Sequence, residues 1–293
     1  MSISEIFEMS LSLYRLRFWT YFLFFFIANG AAYALIKIPQ ITLFLPAMKE
    51  PDPNKLMGSF ALLYLFAFLS LGMSFLVYNV LLGYVTLEVE TLYLGKLIPG
   101  REVASRLVSV LFPLLVTLFL SGFITGIGFL FCILPGIILL LRFAFTAPVI
   151  LMGEFQYFDA MQRSWTLTGH RIGSDWTGAV YWRVAGVFLL SVLLGWAVGL
   201  LFQMPFTMAG FFFNVWDMGQ SGAPPNMLGT VPGMILTTFG EVAGVMGKSI
   251  VQPYLIIAMV VLYLDTRGRR DGLHFIFRAR ALREEGRTGA GGI

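Results

Sequence analysis

The chain has 293 residues, of which 58% are apolar and 12% charged, against about 25% charged in a typical soluble domain. Mean hydropathy is +0.81. The 20 Lys and Arg and 16 Asp and Glu leave a net charge of +4 and are too few to clothe a water-soluble surface. That excludes a soluble globular protein and predicts an all-α, polytopic membrane protein.

A hydrocarbon core of about 30 Å takes about 20 apolar residues in a helix. Six stretches qualify in chain order: 19–44, 56–85, 107–133, 135–152, 184–204, and one within 231–264. The first reads as a retained anchor, because Glu5 and Glu8 flank it and its apolar run exceeds the ~7–15 residues of a cleavable signal. Leu134-Pro135-Gly136 reads as the turn of a tight hairpin between the third and fourth spans. With the N-terminus inside, 15 Lys and Arg face the cytoplasm and only Lys37, Lys49 and Lys55 face out. This bias places both termini in the cytoplasm.

Three cytoplasmic segments are amphipathic. Ile3, Phe7, Leu11, Tyr14 and Phe18 recur at helical spacing after an S-x-x-E capping box at Ser2 and Glu5. Val103, Leu107 and Leu111 alternate with Arg101, Glu102 and Arg106 after Pro99-Gly100. Phe155, Phe158, Met161 and Trp165 oppose Gln156, Asp159, Gln162 and Arg163. Each precedes a pair of spans, so the expected unit is an interfacial helix plus a helical hairpin, repeated over 2–95, 99–153 and 154–264. Residues 1–277 form one integral-membrane domain in this reading, and 278–293 a basic, disordered cytoplasmic tail. Gly122/Gly126, Gly195/Gly199 and Gly240/Gly244 make G-x-x-x-G pairs at which helix backbones can approach.

The sequence offers no H-E-x-x-H, G-x-S-x-G or P-loop, and so no catalytic set. One cysteine, Cys132, and two histidines, His170 and His274, supply neither a disulfide nor an ordinary metal or haem site, and no cofactor is expected. Three charges inside apolar stretches, Arg142, Glu241 and Lys248, suggest an intramembrane polar cluster. Arg163, Trp165, Arg171, Arg267, Arg269 and Arg270 suit anchoring at the interface and contact with anionic lipid headgroups. An unusually long outer segment, 205–233, carries Phe211, Phe212, Phe213 and Trp216, an apolar surface suited to another membrane subunit. Nucleic acid is not an expected partner, because the basic tail has no folded reader.

Residues 134–171 contain Leu134-Pro135-Gly136-Ile137, Arg142, Pro148, and Arg163-Ser164-Trp165 followed by Leu167-Thr168; the last span ends in Asp265-Thr266-Arg267-Gly268-Arg269. This pattern resembles the membrane domain of bacterial glycerophosphodiester phosphodiesterases and its stand-alone relatives over roughly 130–277. Gly153-Glu154 departs from it, since relatives usually carry the acid before the glycine. The resemblance implies six spans with both termini inside. It implies little about activity, because catalysis in the fused enzymes belongs to a soluble barrel that the 29 residues after Leu264 are too few to build. The expected function is that of a non-enzymatic protein of the bacterial inner membrane, an accessory or structural subunit or one concerned with envelope lipids. The alternative is a small transporter or lipid-translocating protein.

Overall fold

The structure, a computed structural model, describes residues 3–44, 53–94, 99–153, 155–169, 180–221 and 231–270. Every regular element among them is helical: α1 (Ile3–Leu16), α2 (Phe18–Pro39) with a π-helical turn (Gln40–Phe44), α3 (Pro53–Tyr93), α4 (Gly100–Phe131), α5 (Ile133–Arg142), α6 (Thr146–Leu151), α7 (Tyr157–Thr168), α8 (Val180–Ser221) and α9 (Val231–Arg270). Among the described residues, six helical stretches are long and apolar enough to cross a membrane: Phe18–Thr42, Met57–Tyr93, Gly100–Phe131, Ile133–Leu151, Val180–Phe213 and Ile235–Arg270. The chain is an all-α, multi-pass membrane protein, with the spans where the hydropathy places them.

The boundaries differ in three informative places. First, the amphipathic segment after Pro99 is the opening of α4 rather than a separate helix. Val103, Leu107, Leu114, Thr117, Ser121, Thr125 and Gly128 are buried at helical spacing along one helix, with the half-buried Leu111 between the second and third. Second, the hairpin turns at Cys132, which is extended (φ −170°, ψ 152°), and not at Pro135-Gly136. Pro135 falls in the first turn of α5, where its missing N–H is no loss. Gly136 is a contact residue: a Cβ on Gly128 would lie 3.2 Å from the Gly136 Cα, so only glycine lets the two helices meet there. Third, α8 passes through Pro205 to Ser221 instead of ending near 204. Thr207 Oγ1 donates to the Gln203 and Met204 carbonyls (3.2 and 3.1 Å) beside that proline.

The chain forms two compact units. The first comprises residues 1–13, 86–188 and 256–293, and the second 14–85 and 189–255. In the first unit α4 packs along α5, and α7 packs against α4, α5 and α6. All six residues of α6 are buried. The core centres on Phe145, edge-on to Tyr263 at 5.6 Å, with Ile150, Leu151, Leu167 and Leu262. Gly153, at φ +74°, closes α6 in the left-handed conformation and lets the chain reverse into α7.

The second unit contains α2 and the larger parts of α3, α8 and α9. Gly240, Gly244 and Gly247 bring α9 onto α8: Cβ atoms built on them would lie 3.1 Å from Phe206 Cβ, 3.3 Å from Gln203 Oε1 and 3.3 Å from the Val198 carbonyl. The Gly240/Gly244 pair is therefore an intramolecular contact. Gly122 and Gly126 of α4 have nothing within 4 Å of such a Cβ. The outer surface of this unit is apolar, with Leu65, Phe68, Leu189 and Trp196 more than half exposed, as expected of helices that face lipid.

Candidate functional site

In the first unit the fourth span is interrupted. Helix α5 ends at Arg142, α6 begins at Thr146, and residues 143–145 form turns. Backbone polar groups at such a break need partners, because hydrocarbon supplies none. Ser164 of α7, fully buried, provides them in both senses. Its hydroxyl donates to the Arg142 carbonyl (2.7 Å) and accepts from the Phe145 N–H (3.2 Å). The Thr168 hydroxyl, one turn later, donates within α7 to the Ser164 carbonyl (2.9 Å) and lies 3.4 Å from the Arg142 carbonyl. The Arg142 side chain completes the joint from the other direction. Its Nη1 donates to the Trp165 carbonyl (3.2 Å), and the guanidinium stands 4.9 Å from the Trp165 ring centre. A cation at the last turn of α7 meets a carbonyl that also accepts from the Gly169 N–H (3.1 Å), and the negative end of the helix dipole. Gly169 has no side chain to intrude, and a Cβ there would overlap the guanidinium.

The second polar centre of this unit is Asp265, 2% exposed. Arg269 Nε lies 3.1 Å from both carboxylate oxygens, and Arg183 Nη1 lies 3.8 Å from Oδ2. Arg106 pairs with Glu90 at 3.4 Å, and Arg267 Nη1 reaches Met152 Sδ at 3.7 Å. Arg142, Ser164, Trp165, Thr168, Asp265, Arg267 and Arg269, all residues of the motif pattern, lie in this one unit.

In the second unit a polar seam runs between two spanning helices. Asn29, Tyr33 and Lys37 lie four residues apart on one face of α2. Asn29 donates to Gln252 Oε1 (2.7 Å) and Ser249 Oγ (3.3 Å) of α9. The Tyr33 hydroxyl donates to Glu241 Oε2 at 2.6 Å, and Lys37 Nζ lies 2.6 Å from the same oxygen. The Lys37 and Glu241 side chains are 19% and 36% exposed. At the end of α1, Tyr14 donates to the Ile250 carbonyl (2.7 Å), and burial pushes its phenol above the usual range, keeping it a donor.

Arg142 belongs to the first unit, and Glu241 and Lys248 to the second. Among the described residues, Arg142 is met by Trp165, Glu241 by Tyr33 and Lys37, and Lys248 is exposed. Trp165 is 41% exposed despite its stacked arginine. Arg163 is half-buried, its guanidinium 6.0 Å from the Phe155 ring. Arg269 and Arg270 are exposed. Arg171 and the tail from 271 lie outside the described residues. Phe211, Phe212, Phe213 and Trp216 project from α8 and are 54–70% exposed.

The sequence reading missed the Lys37–Glu241 pair because it counted Lys37 as a flanking charge. The available signal was the four-residue spacing of Asn29, Tyr33 and Lys37 in an otherwise apolar stretch. No protein family, no curated protein and no solved structure matches the chain.

Proposed function

We propose that this is a non-enzymatic protein of the bacterial cytoplasmic membrane, with both termini inside, acting as an accessory or structural subunit or in envelope-lipid homeostasis. The observation that supports it is the Arg142–Ser164 joint. The conspicuous polar residues of this unit are engaged with the backbone of a broken span, and Ser164 uses its proton and a lone pair there. The resemblance to the stand-alone relatives of the phosphodiesterase membrane domain points the same way. Purification with native membrane partners tests the proposal. A stoichiometric partner or retained lipid is the expected result, and robust hydrolase or transferase turnover by the isolated chain overturns it. Thiol labelling of Asp52→Cys in spheroplasts tests the orientation, with labelling from outside expected.

A second reading, a small transporter or lipid-translocating protein, draws on the Tyr33–Lys37–Glu241 group. Ionisable side chains inside spans are rare and mark pathways when they occur. Flux into proteoliposomes that is lost in Glu241→Gln favours this reading. No flux from the wild-type chain, tested against inorganic ions, amino acids and fluorescent phospholipid, removes it.

A further inference from the structure

Within the second unit, α2 and α3 are tied at two levels and part between them. At one level the rings of Phe24 and Tyr84 meet edge-on at 5.8 Å. At the other the Ser70 hydroxyl donates to the Ala32 carbonyl at 2.9 Å. Between the ties lies a half-open groove of about 250 Å³, lined by Phe24, Ile27, Ala28 and Ala31 of α2 and by Met73 and Val77 of α3. The three alanines at 28, 31 and 32 leave the space, and the lining is almost wholly apolar. The groove belongs to spanning helices, so the medium at its mouth is acyl chain rather than water or protein loop.

Its dimensions fit one leaflet. From Phe24 to Ala32 the helix rises about 12 Å, against a leaflet hydrocarbon depth of about 15 Å. Arg17 is the N-cap residue of α2, seven residues and about 10 Å before Phe24 along the helix axis. From Arg17 to Ala32 the rise is about 22 Å, the thickness of one leaflet with its headgroups. Arg15 and Arg17 are both exposed there.

We propose that the α2–α3 groove holds one acyl chain of an anionic phospholipid from the leaflet at the N-terminal end of α2, with Arg15 and Arg17 at its phosphate. The headgroup is then read at the α1–α2 junction and the tail by the groove that α2 forms with α3. The ties at Phe24–Tyr84 and Ser70–Ala32 keep the groove open in advance, so the lipid pays little ordering entropy to the protein.

The full chain in nanodiscs containing phosphatidylglycerol or phosphatidylcholine, each with a diazirine on one acyl chain, tests this. Photolysis and peptide mapping should concentrate label on Met73 and Val77 relative to Phe119 and Phe123 on the exposed face of α4. Phosphatidylglycerol should label the groove more strongly than phosphatidylcholine, by about fivefold for each arginine engaged. Arg15→Gln with Arg17→Gln should abolish that preference, and Ala31→Leu should remove groove label while leaving α4 label unchanged. In the wild-type chain, excess unlabelled phosphatidylglycerol should compete away label in the groove and not on α4, a readout that needs no variant to fold. Equal labelling of groove and α4 face, or failure of competition to distinguish them, overturns the acyl site. Equal labelling of the groove by the two lipids overturns the headgroup assignment.

Discussion

The two units handle polar groups in spanning helices differently. In the first, side chains answer backbone: Ser164 and Arg142 join α7 to the interrupted fourth span. The one carboxylate at 2% exposure there, Asp265, sits between two arginines. In the second, side chains answer side chains: Asn29, Tyr33 and Lys37 meet Gln252, Ser249 and Glu241 at intervals along two helices. The first arrangement repairs a break that would otherwise leave backbone groups unsatisfied, so each member is hard to remove. The second adds pairs between helices that run on without a break, and helix pairs joined this way in hydrocarbon gain little per bond. The stitched unit is therefore the less tolerant of substitution.

That contrast can be broken at several points. Asp265→Ala should have the largest effect, about 3 kcal/mol of unfolding free energy in detergent, because it leaves arginines beside an emptied buried site. A loss under about 1 kcal/mol would show that the arginines are already hydrated. Ser164→Ala should cost about 2 kcal/mol, since it strands a buried N–H and weakens the hold on a carbonyl. Exposed Thr166→Ala two residues away should be close to neutral in the same assay. Glu241→Ala should cost somewhat less, about 1.5 kcal/mol, because the carboxylate is 36% exposed and the stranded lysine can reach solvent or headgroups. Adding Lys37→Met should restore part of that loss, a positive coupling in the double-mutant cycle. Asn29→Leu should be the mildest, about 0.6 kcal/mol. If Asn29 matched Ser164, the two units would not differ in the way described.

Hydropathy alone located all six spans, because lipid-facing helices must be apolar over their whole length. It could not locate the ends of α3, α8 and α9, whose 40–42 residues rise about 60 Å, twice the hydrocarbon thickness. Residues 256–258 and 260–263 of α9 continue the apolar pattern but are buried among protein groups. An apolar residue facing protein reads the same as one facing lipid. The partner of Arg142 was illegible for another reason. It depends on the break at 143–145 and on α7 reversing at Gly153, and no spacing in the sequence announces that Trp165 returns to Arg142. The polar face of α2 was legible and was overlooked, because each of its residues is ordinary by itself.

The Ser164 joint also has a consequence for how the protein is made. The ribosome releases the fourth span before the residues that complete it: Ser164 follows Arg142 by 22 residues. At ~5–20 residues per second that interval is on the order of 1–4 s. Throughout it, Phe145 and Arg142 lack their hydroxyl partner, and Arg142 lacks the Trp165 carbonyl. A segment in that condition enters hydrocarbon poorly, so the fourth span should wait beside the insertion machinery until α7 emerges. Nascent chains stalled short of Ser164 should crosslink to the translocon through residues 133–151, and chains stalled well beyond it should not.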